Sequence, residues 1–157
     1  MNYFLSLFLI TLAFSFSILE KKNQQQEVLQ RIFEIEEFQR YLSYSPRFVA
    51  TTTKQEVLMM NFPELENKNI LLSVGDKTIR IIDENDLKDL EHNFFIKIDE
   101  FKLKKSKAKV LISYLNSRMY YEKKQKILLD ANLAKNSDGE WLIENYKLYE
   151  VSVNTSD

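Results

Sequence analysis

Residues 94–114 read FFIKIDEFKLKKSKAKVLISY, and the alternation of apolar and polar side chains in this stretch decides the fold class. Such alternation is typical of a β-strand with one buried face, because successive side chains point to opposite faces of a sheet. The apolar phase changes from even to odd positions at Asp99 and Glu100. One extra residue there, a β-bulge, would keep both halves on one face and bend the strand. Lys105 and Ser106 predict the turn into a second strand.

The same alternation returns in the C-terminal part of the chain. A third strand is predicted from about Tyr120 to Ala134, and the run Asn136–Gly139 predicts a tight turn, because glycine tolerates the backbone conformation that such turns need. The last strand begins near Trp141 and changes phase again near Glu144. Four consecutive antiparallel strands of this kind would form a meander, and their bulges would curve it.

Residues 24–44 have the spacing of an amphipathic helix. Apolar side chains recur every three or four positions, and charged or amide side chains occupy the opposite side. The sequence predicts one long helix that ends before Pro46, because the residue before a proline avoids the helical region. We interpret the polar run Gln24–Gln26 as a spacer that lets the start of this helix fray.

Three shorter elements are predicted between this helix and the strands. Thr53 and Glu56 have the spacing of a capping box, so the apolar run after Glu56 is expected to form a short helix. Two apolar runs around Gly75 predict a hairpin, and Asp83 predicts the start of a brief helix. The expected fold class is α+β, with a long N-terminal helix packed on a curved antiparallel sheet that ends in a C-terminal four-stranded meander.

Residues 3–19 form an apolar run that ends at the charged residues Glu20, Lys21 and Lys22. Its length suits a signal peptide and reaches the lower limit for a membrane span. Small residues near its end favour a cleaved signal peptide; an uncleaved anchor formed by residues 3–19 and a buried helix are the alternatives. We therefore expect a leader or anchor at residues 1–19, a single domain at residues 20–157, and export to the periplasm or the medium.

Composition limits the chemistry that the chain can perform. The sequence is 45% hydrophobic, so it can bury a core, and it contains no cysteine, which excludes disulfides and thiolate metal sites. Its single histidine, His92, is expected at a helix end rather than in a catalytic site. The sequence contains neither a glycine-rich phosphate loop nor a nucleophile elbow. No catalytic residue, metal site or cofactor is therefore predicted.

Positive charge is concentrated in residues 101–126, where nine bases oppose the single acid Glu122, for a net charge of +8. Outward lysines on adjacent strands would attract an anionic lipid surface or an acidic protein, although they could simply protect exposed strands from pairing. Nucleic acid is an unlikely partner, because clustered arginines and stacking aromatics are missing. The candidate face consists of Lys102, Lys104, Lys107, Lys109, Arg118, Lys123, Lys124 and Lys126.

The order of elements and two motifs resemble a known group of folds. The run DGEWLI at residues 138–143 resembles the final hairpin of small exported bacterial domains. Residues 95–98 (FIKI) and 107–110 (KAKV) resemble the pair of strands that precedes it. Over most of residues 24–151, the chain resembles the nuclear transport factor 2-like and cystatin-like cone folds. The resemblance implies that a helix covers the concave side of a bent sheet.

Enzymes with cone folds hold an acid or histidine base and a tyrosine or acid donor deep in the cone. With an open cone, Asp99, Tyr114 and Tyr146 would be the candidate polar groups of a small-molecule pocket. The favoured interpretation is a non-enzymatic binding or interaction module of the cell envelope, with aromatic residues filling the cone. A pocket protein or enzyme is one alternative, and a membrane-tethered accessory domain with a lysine-rich contact face is another. The oligomeric state is left open.

Overall fold

The structure, a computed structural model, describes residues 23–42, 56–66, 69–87, 95–115 and 119–153. Some of the sequence predictions fall outside these ranges, namely the leader at residues 3–19, the helix end before Pro46, Thr53, His92 and Arg118. In the described ranges, no helix is both long enough and apolar enough to cross a membrane.

Two helical segments occupy the N-terminal part of the described chain. The first, α1, covers residues 23–33, and the second, α2, covers Glu36–Leu42. The structure thus interrupts the single helix that the sequence predicted over residues 24–44.

Local hydrogen bonds explain the interruption between α1 and α2. The amide of Ile35 donates to the carbonyl of Ile32 (3.1 Å), which tightens the end of α1. The side-chain amide of Gln39 then donates to the carbonyl of Phe33 (2.8 Å), in place of a backbone donor. The resulting bend lets both segments bury their apolar residues, which are Val28, Leu29, Ile32, Phe33, Ile35, Phe38 and Leu42.

The prediction of a short helix after Glu56 is wrong, because Glu56–Met60 forms a strand, β1. Its burial alternates, with Val57 and Met59 buried. β1 lies between two other strands and runs parallel to both. Pairing on both sides therefore outweighs the local capping pattern, as tertiary contacts commonly outweigh propensity.

The predicted hairpin and the brief helix are confirmed. β2 (Leu72–Val74) and β3 (Lys77–Ile82) pair antiparallel around Gly75, whose φ of 57° is a conformation that glycine readily adopts. The helix α3 covers Glu84–Leu87, directly after Asp83. β3 also pairs in parallel with β1, which brings the hairpin into the main sheet.

Four longer strands follow: β4 (Ile96–Leu103), β5 (Lys107–Tyr114), β6 (Gln125–Lys135) and β7 (Trp141–Ser152). Each pairs antiparallel with the next. The turn before β7 contains Gly139, with a φ of 85°, as predicted. The third strand begins later than the predicted Tyr120, because Met119–Lys123 forms a π-helical turn and Lys124 has a φ of 54°.

Both predicted bulges are present. In β4 the register shifts between Ile98 and Glu100, which leaves Asp99 as the extra residue. In the β6–β7 pair the register shifts after Asn132, which leaves Glu144 as the extra residue on β7. An extra residue bends its strand, so the bulges account for the curvature of the sheet.

Within the described residues, the seven strands form one curved sheet in the order β2-β3-β1-β4-β5-β6-β7. The sequence predicted an antiparallel sheet, but the sheet is mixed, because β1 runs parallel to its two neighbours. We call the side that carries the alternating buried residues of β4–β6 the inner face, and the opposite side the outer face. The inner face and both helices share one hydrophobic core. The coarse prediction of an α+β fold with a curved sheet is confirmed.

Candidate functional site

The inner face of the sheet is filled by the hydrophobic core. Val110, Ile112 and Leu129 have no exposed area and belong to the same buried cluster as the apolar residues of α1 and α2. Tyr114 is 6% exposed, and its ring meets that of Phe38 on α2 edge-on, with 6.4 Å between centroids. The helices therefore occupy the volume that an open cone would offer to a ligand.

The three candidate pocket residues do not converge on one site. Asp99 lies at the bulge of β4, 3.5 Å from the amine of the exposed Lys97. Tyr114 and Tyr146 both belong to the inner face, but Tyr146 pairs with Ala131, four residues along β6 from the partner of Tyr114. Four residues of a strand span about 13 Å, so the two hydroxyl groups are held apart.

A surface depression of about 350 Å³ lies along one side of α1. Its described lining comes from a single helical stripe, so it is a solvent-facing groove rather than an enclosed cavity. An ion pair between Arg31 and Glu34 (3.1 Å) lies at one end of it. The lining residues are Asn23, Gln26, Glu27, Gln30, Arg31 and Glu34. They include no pair of groups suited to acid–base or nucleophilic chemistry.

The lysines in the middle of the outer face are neutralised by acids. Glu100 forms ion pairs with both Lys102 and Lys109, the latter at 3.1 Å. The hydrogen bond from Lys102, followed by that from Lys109, holds the pKa of Glu100 below its usual value. The bond to Glu100, followed by the charge of Asp130, raises the pKa of Lys109. These lysines are therefore partly engaged within the domain.

The lysines at the β4–β5 turn differ from Lys102 and Lys109 in their ion pairing. The side chains of Lys104, Lys105 and Lys107 are exposed and make no ion pair with any residue that the structure describes. The amide of Lys104 donates to the carbonyl of Lys107 (2.8 Å), which closes the turn. The carbonyl of Ser106 accepts from the amide of Lys135 on β6 (3.0 Å). A rigid turn thus presents three cations, which we call the tip lysines.

The other candidate lysines lie at the opposite end of β5. Lys123 contacts both carboxylate oxygens of Glu150 (3.0 and 3.3 Å). Lys124 lies 5.9 Å from the ring centre of Tyr121, and Lys126 pairs across the strands with Val151. β5 separates this group from the tip lysines by about 23 Å, at 3.3 Å per residue. The basic stretch that is continuous in sequence is therefore divided into two ends.

The interpretation of Gln24–Gln26 as a fraying spacer is wrong. Gln25 is 1% exposed; its side chain donates to the carbonyl of Glu64 (2.5 Å) and accepts from the amide of Glu66 (3.2 Å). Gln26 donates to the carbonyl of Leu71 (3.1 Å). These glutamines tie α1 to the backbone of distant segments. The helical spacing of these glutamines relative to Gln30 was the sequence signal that they belong to a helix. Their hydrogen-bond partners could not be predicted, because these lie far away in sequence.

Among the described residues, no group of three or more His, Asp or Glu side chains is placed to hold a metal ion. Comparison with protein-family models, with curated proteins and with solved structures finds no match. The geometry of the site is therefore the basis for any proposal about its function.

Proposed function

We propose that this chain is a non-enzymatic interaction module of the cell envelope, and that the tip lysines are its contact with an anionic partner. The observation that carries the proposal is the contrast between a filled inner face and three exposed lysines on a hydrogen-bonded turn, which form no ion pair with any described residue. Lysine binds phosphate and carboxylate oxygens as a point charge, so an anionic lipid surface and an acidic protein share the required chemistry.

The position of the tip supports a contact with an extended surface. The turn between β4 and β5 lies at one end of the sheet, beside the β6–β7 turn, and the side chains of the tip lysines are exposed. Clusters of lysine contribute about 1 kcal/mol per residue near an anionic membrane, and this attraction declines within a Debye length. The apolar run at residues 3–19 supports a location at or beyond the membrane, because a signal peptide would export the domain and an anchor would hold it at the membrane surface.

A charge-removal experiment tests this proposal. The full chain is incubated with vesicles that contain phosphatidylglycerol, with neutral phosphatidylcholine vesicles, and with polyglutamate, at low and high salt. We expect binding to an anionic probe that weakens with salt and is reduced at least about tenfold in the triple variant Lys104→Ser, Lys105→Ser, Lys107→Ser. Lipid and polyglutamate distinguish the two kinds of partner.

A matched control places the same loss of charge at the other end of β5. The variant Lys123→Ser, Lys124→Ser, Lys126→Ser removes three lysines from a region that already contains Glu150. We expect it to bind the anionic probes within about threefold of the wild type. Equal losses for both triple variants would mean that binding follows net charge alone and would reject the tip as the site.

We also propose that the fold is related to the nuclear transport factor 2-like and cystatin-like cone folds and that β4–β7 are its meander. Support comes from the curved sheet, the helices packed against its inner face, and the antiparallel pairing of β4–β7 in chain order. An experimental structure of the full chain would test this relationship. A flat sheet, or helices packed on the outer face, would contradict it.

A further inference from the structure

The two edge strands of the sheet, β2 and β7, differ in their hydrogen-bond partners. At the β2 edge, Gln30 bonds to both the amide and the carbonyl of Ser73 (3.1 and 3.2 Å), and Gln26 bonds to the carbonyl of Leu71. These side-chain amides of α1 replace a neighbouring strand. At the other edge, β7 is 12 residues long, and no described residue performs this role. Among the residues that the structure describes, the β2 edge is therefore closed and the β7 edge is open.

The backbone groups at the open edge can be assigned from one hydrogen bond. The amide of Val153 donates to the carbonyl of Lys124, just before β6 (2.9 Å). In an antiparallel ladder, the amide and carbonyl of alternate residues point to the same neighbour. The β6–β7 register extends this alternation along β7. The backbone groups that point away from β6 belong to Tyr146, Leu148, Glu150 and Ser152.

Acids flank the inner side of this edge. The hydroxyl of Tyr41 on α2 donates to the carboxylate of Glu150 on β7 (3.4 Å), so α2 lies along the inner side of this edge. Partial burial, followed by the charge and hydrogen bond of Glu37 and then the charge of Glu36, raises the pKa of Tyr146. The charge of Glu150 is already offset by Lys123 at 3.0 Å. Glu36 and Glu37 form no ion pair with a described residue, so they give the inner side of the edge a negative charge.

The outer side of the edge carries one base and two apolar residues. The register places Lys147, Tyr149 and Val151 on the outer face of β7, where Tyr149 is 44% exposed. A strand added to β7 would place alternate side chains beside the glutamates of α2, and the others beside Lys147, Tyr149 and Val151.

We propose that the edge of β7 from Tyr146 to Ser152 binds an extended segment of a partner protein by strand addition, and that this segment alternates basic with apolar side chains. Backbone hydrogen bonds supply affinity in this binding mode, and alternate side chains supply specificity. The site is distinct from the tip lysines and does not depend on their function.

A second copy of the chain fits this edge less well. Two-fold pairing of β7 with itself would place both sets of Glu36 and Glu37 on the same side of one interface. Like charges brought together in this way oppose association. A basic segment instead compensates these charges, so charge complementarity favours a partner of different sequence.

Residue-resolved hydrogen exchange of the full chain tests the proposal. The probe is a short capped peptide of alternating lysine and valine, and its control is a peptide of the same composition with all lysines before all valines. We expect the alternating peptide to slow exchange at the amides of Tyr146, Leu148, Glu150 and Ser152, and to leave the amides between them unchanged. Equal protection by both peptides, or no protection, would overturn the proposal. Protection that rises with protein concentration without peptide would assign the edge to a second copy instead.

A pair of substitutions tests the backbone contact. Leu148→Pro removes an amide that faces the open edge and leaves the β6–β7 hydrogen bonds in place, whereas Leu148→Ala keeps the amide and shortens the side chain. We expect Leu148→Pro to weaken binding of the alternating peptide about tenfold relative to Leu148→Ala, as for one lost hydrogen bond. Equal affinities would contradict strand addition. If Leu148→Pro does not fold, Glu37→Gln must weaken the alternating peptide more than the control peptide.

Discussion

The two faces of strands β4–β6 show how one sequence pattern separates two tasks. On the inner face, Val110 and Leu129 have no exposed area, because α1 and α2 cover them. On the outer face of the same strands, Lys102 and Lys109 remain exposed or half-buried and pair with Glu100. Since side chains alternate along a strand, stability comes from one face and surface chemistry from the other. The following substitutions test that division, in order of decreasing effect.

The largest effect is expected at the end of the inner face. Trp141 is 1% exposed at the first position of β7, with the amine of Lys135 lying 5.2 Å from its ring centre. Trp141→Ala removes the largest buried side chain and should lower the free energy of unfolding by about 3–5 kcal/mol in denaturant titrations. A loss below about 1 kcal/mol would show that the inner face near β7 is not packed as described.

An intermediate effect is expected at Gln25, a buried polar side chain of α1. Gln25→Ala leaves the carbonyl of Glu64 and the amide of Glu66 without their partner. We expect a loss of about 1–3 kcal/mol in the free energy of unfolding. The neighbouring substitution Gln26→Ala removes one exposed hydrogen bond and serves as the control, with a loss below about 1 kcal/mol. Equal losses would contradict the special position of Gln25.

The smallest effect is expected on the outer face and depends on pH. The pKa of Glu100 is held below its ordinary value of 4.5 by Lys102 and then Lys109. Its stabilising contribution is therefore complete above the unfolded pKa and is lost as the pH falls through the folded pKa. In a carboxyl NMR titration, Lys102→Gln and Lys109→Gln should each raise the pKa of Glu100. Lys97→Gln is the control, because Lys97 pairs with Asp99, and it should leave this pKa unchanged.

Strands β2–β7 and the turns between paired strands could be predicted because their signals are local. Period-two alternation located β4–β7, the phase changes located the bulges at Asp99 and Glu144, and Gly75 located the hairpin. The inward phase of β6 also followed directly from its sequence.

The remaining features depend on contacts between distant parts of the chain. β1 was mistaken for a helix, because its partners β3 and β4 lie many residues later. The break between α1 and α2 depends on a side-chain bond from Gln39 to Phe33. Which lysines of the basic stretch pair with an acid depends on where the strand register places Glu100 and Glu150. Sequence alone gives the charge of the stretch and leaves its pairing unknown.

The inner face is filled by the core, and we propose that the tip lysines make the external contact. An NMR titration of the full chain with polyglutamate tests both parts in one measurement. We expect chemical-shift changes concentrated at residues 102–107, with Tyr114 and Tyr146 unaffected. Changes centred on Tyr114 and Tyr146, with residues 102–107 unaffected, would contradict it and point to a pocket on the inner face.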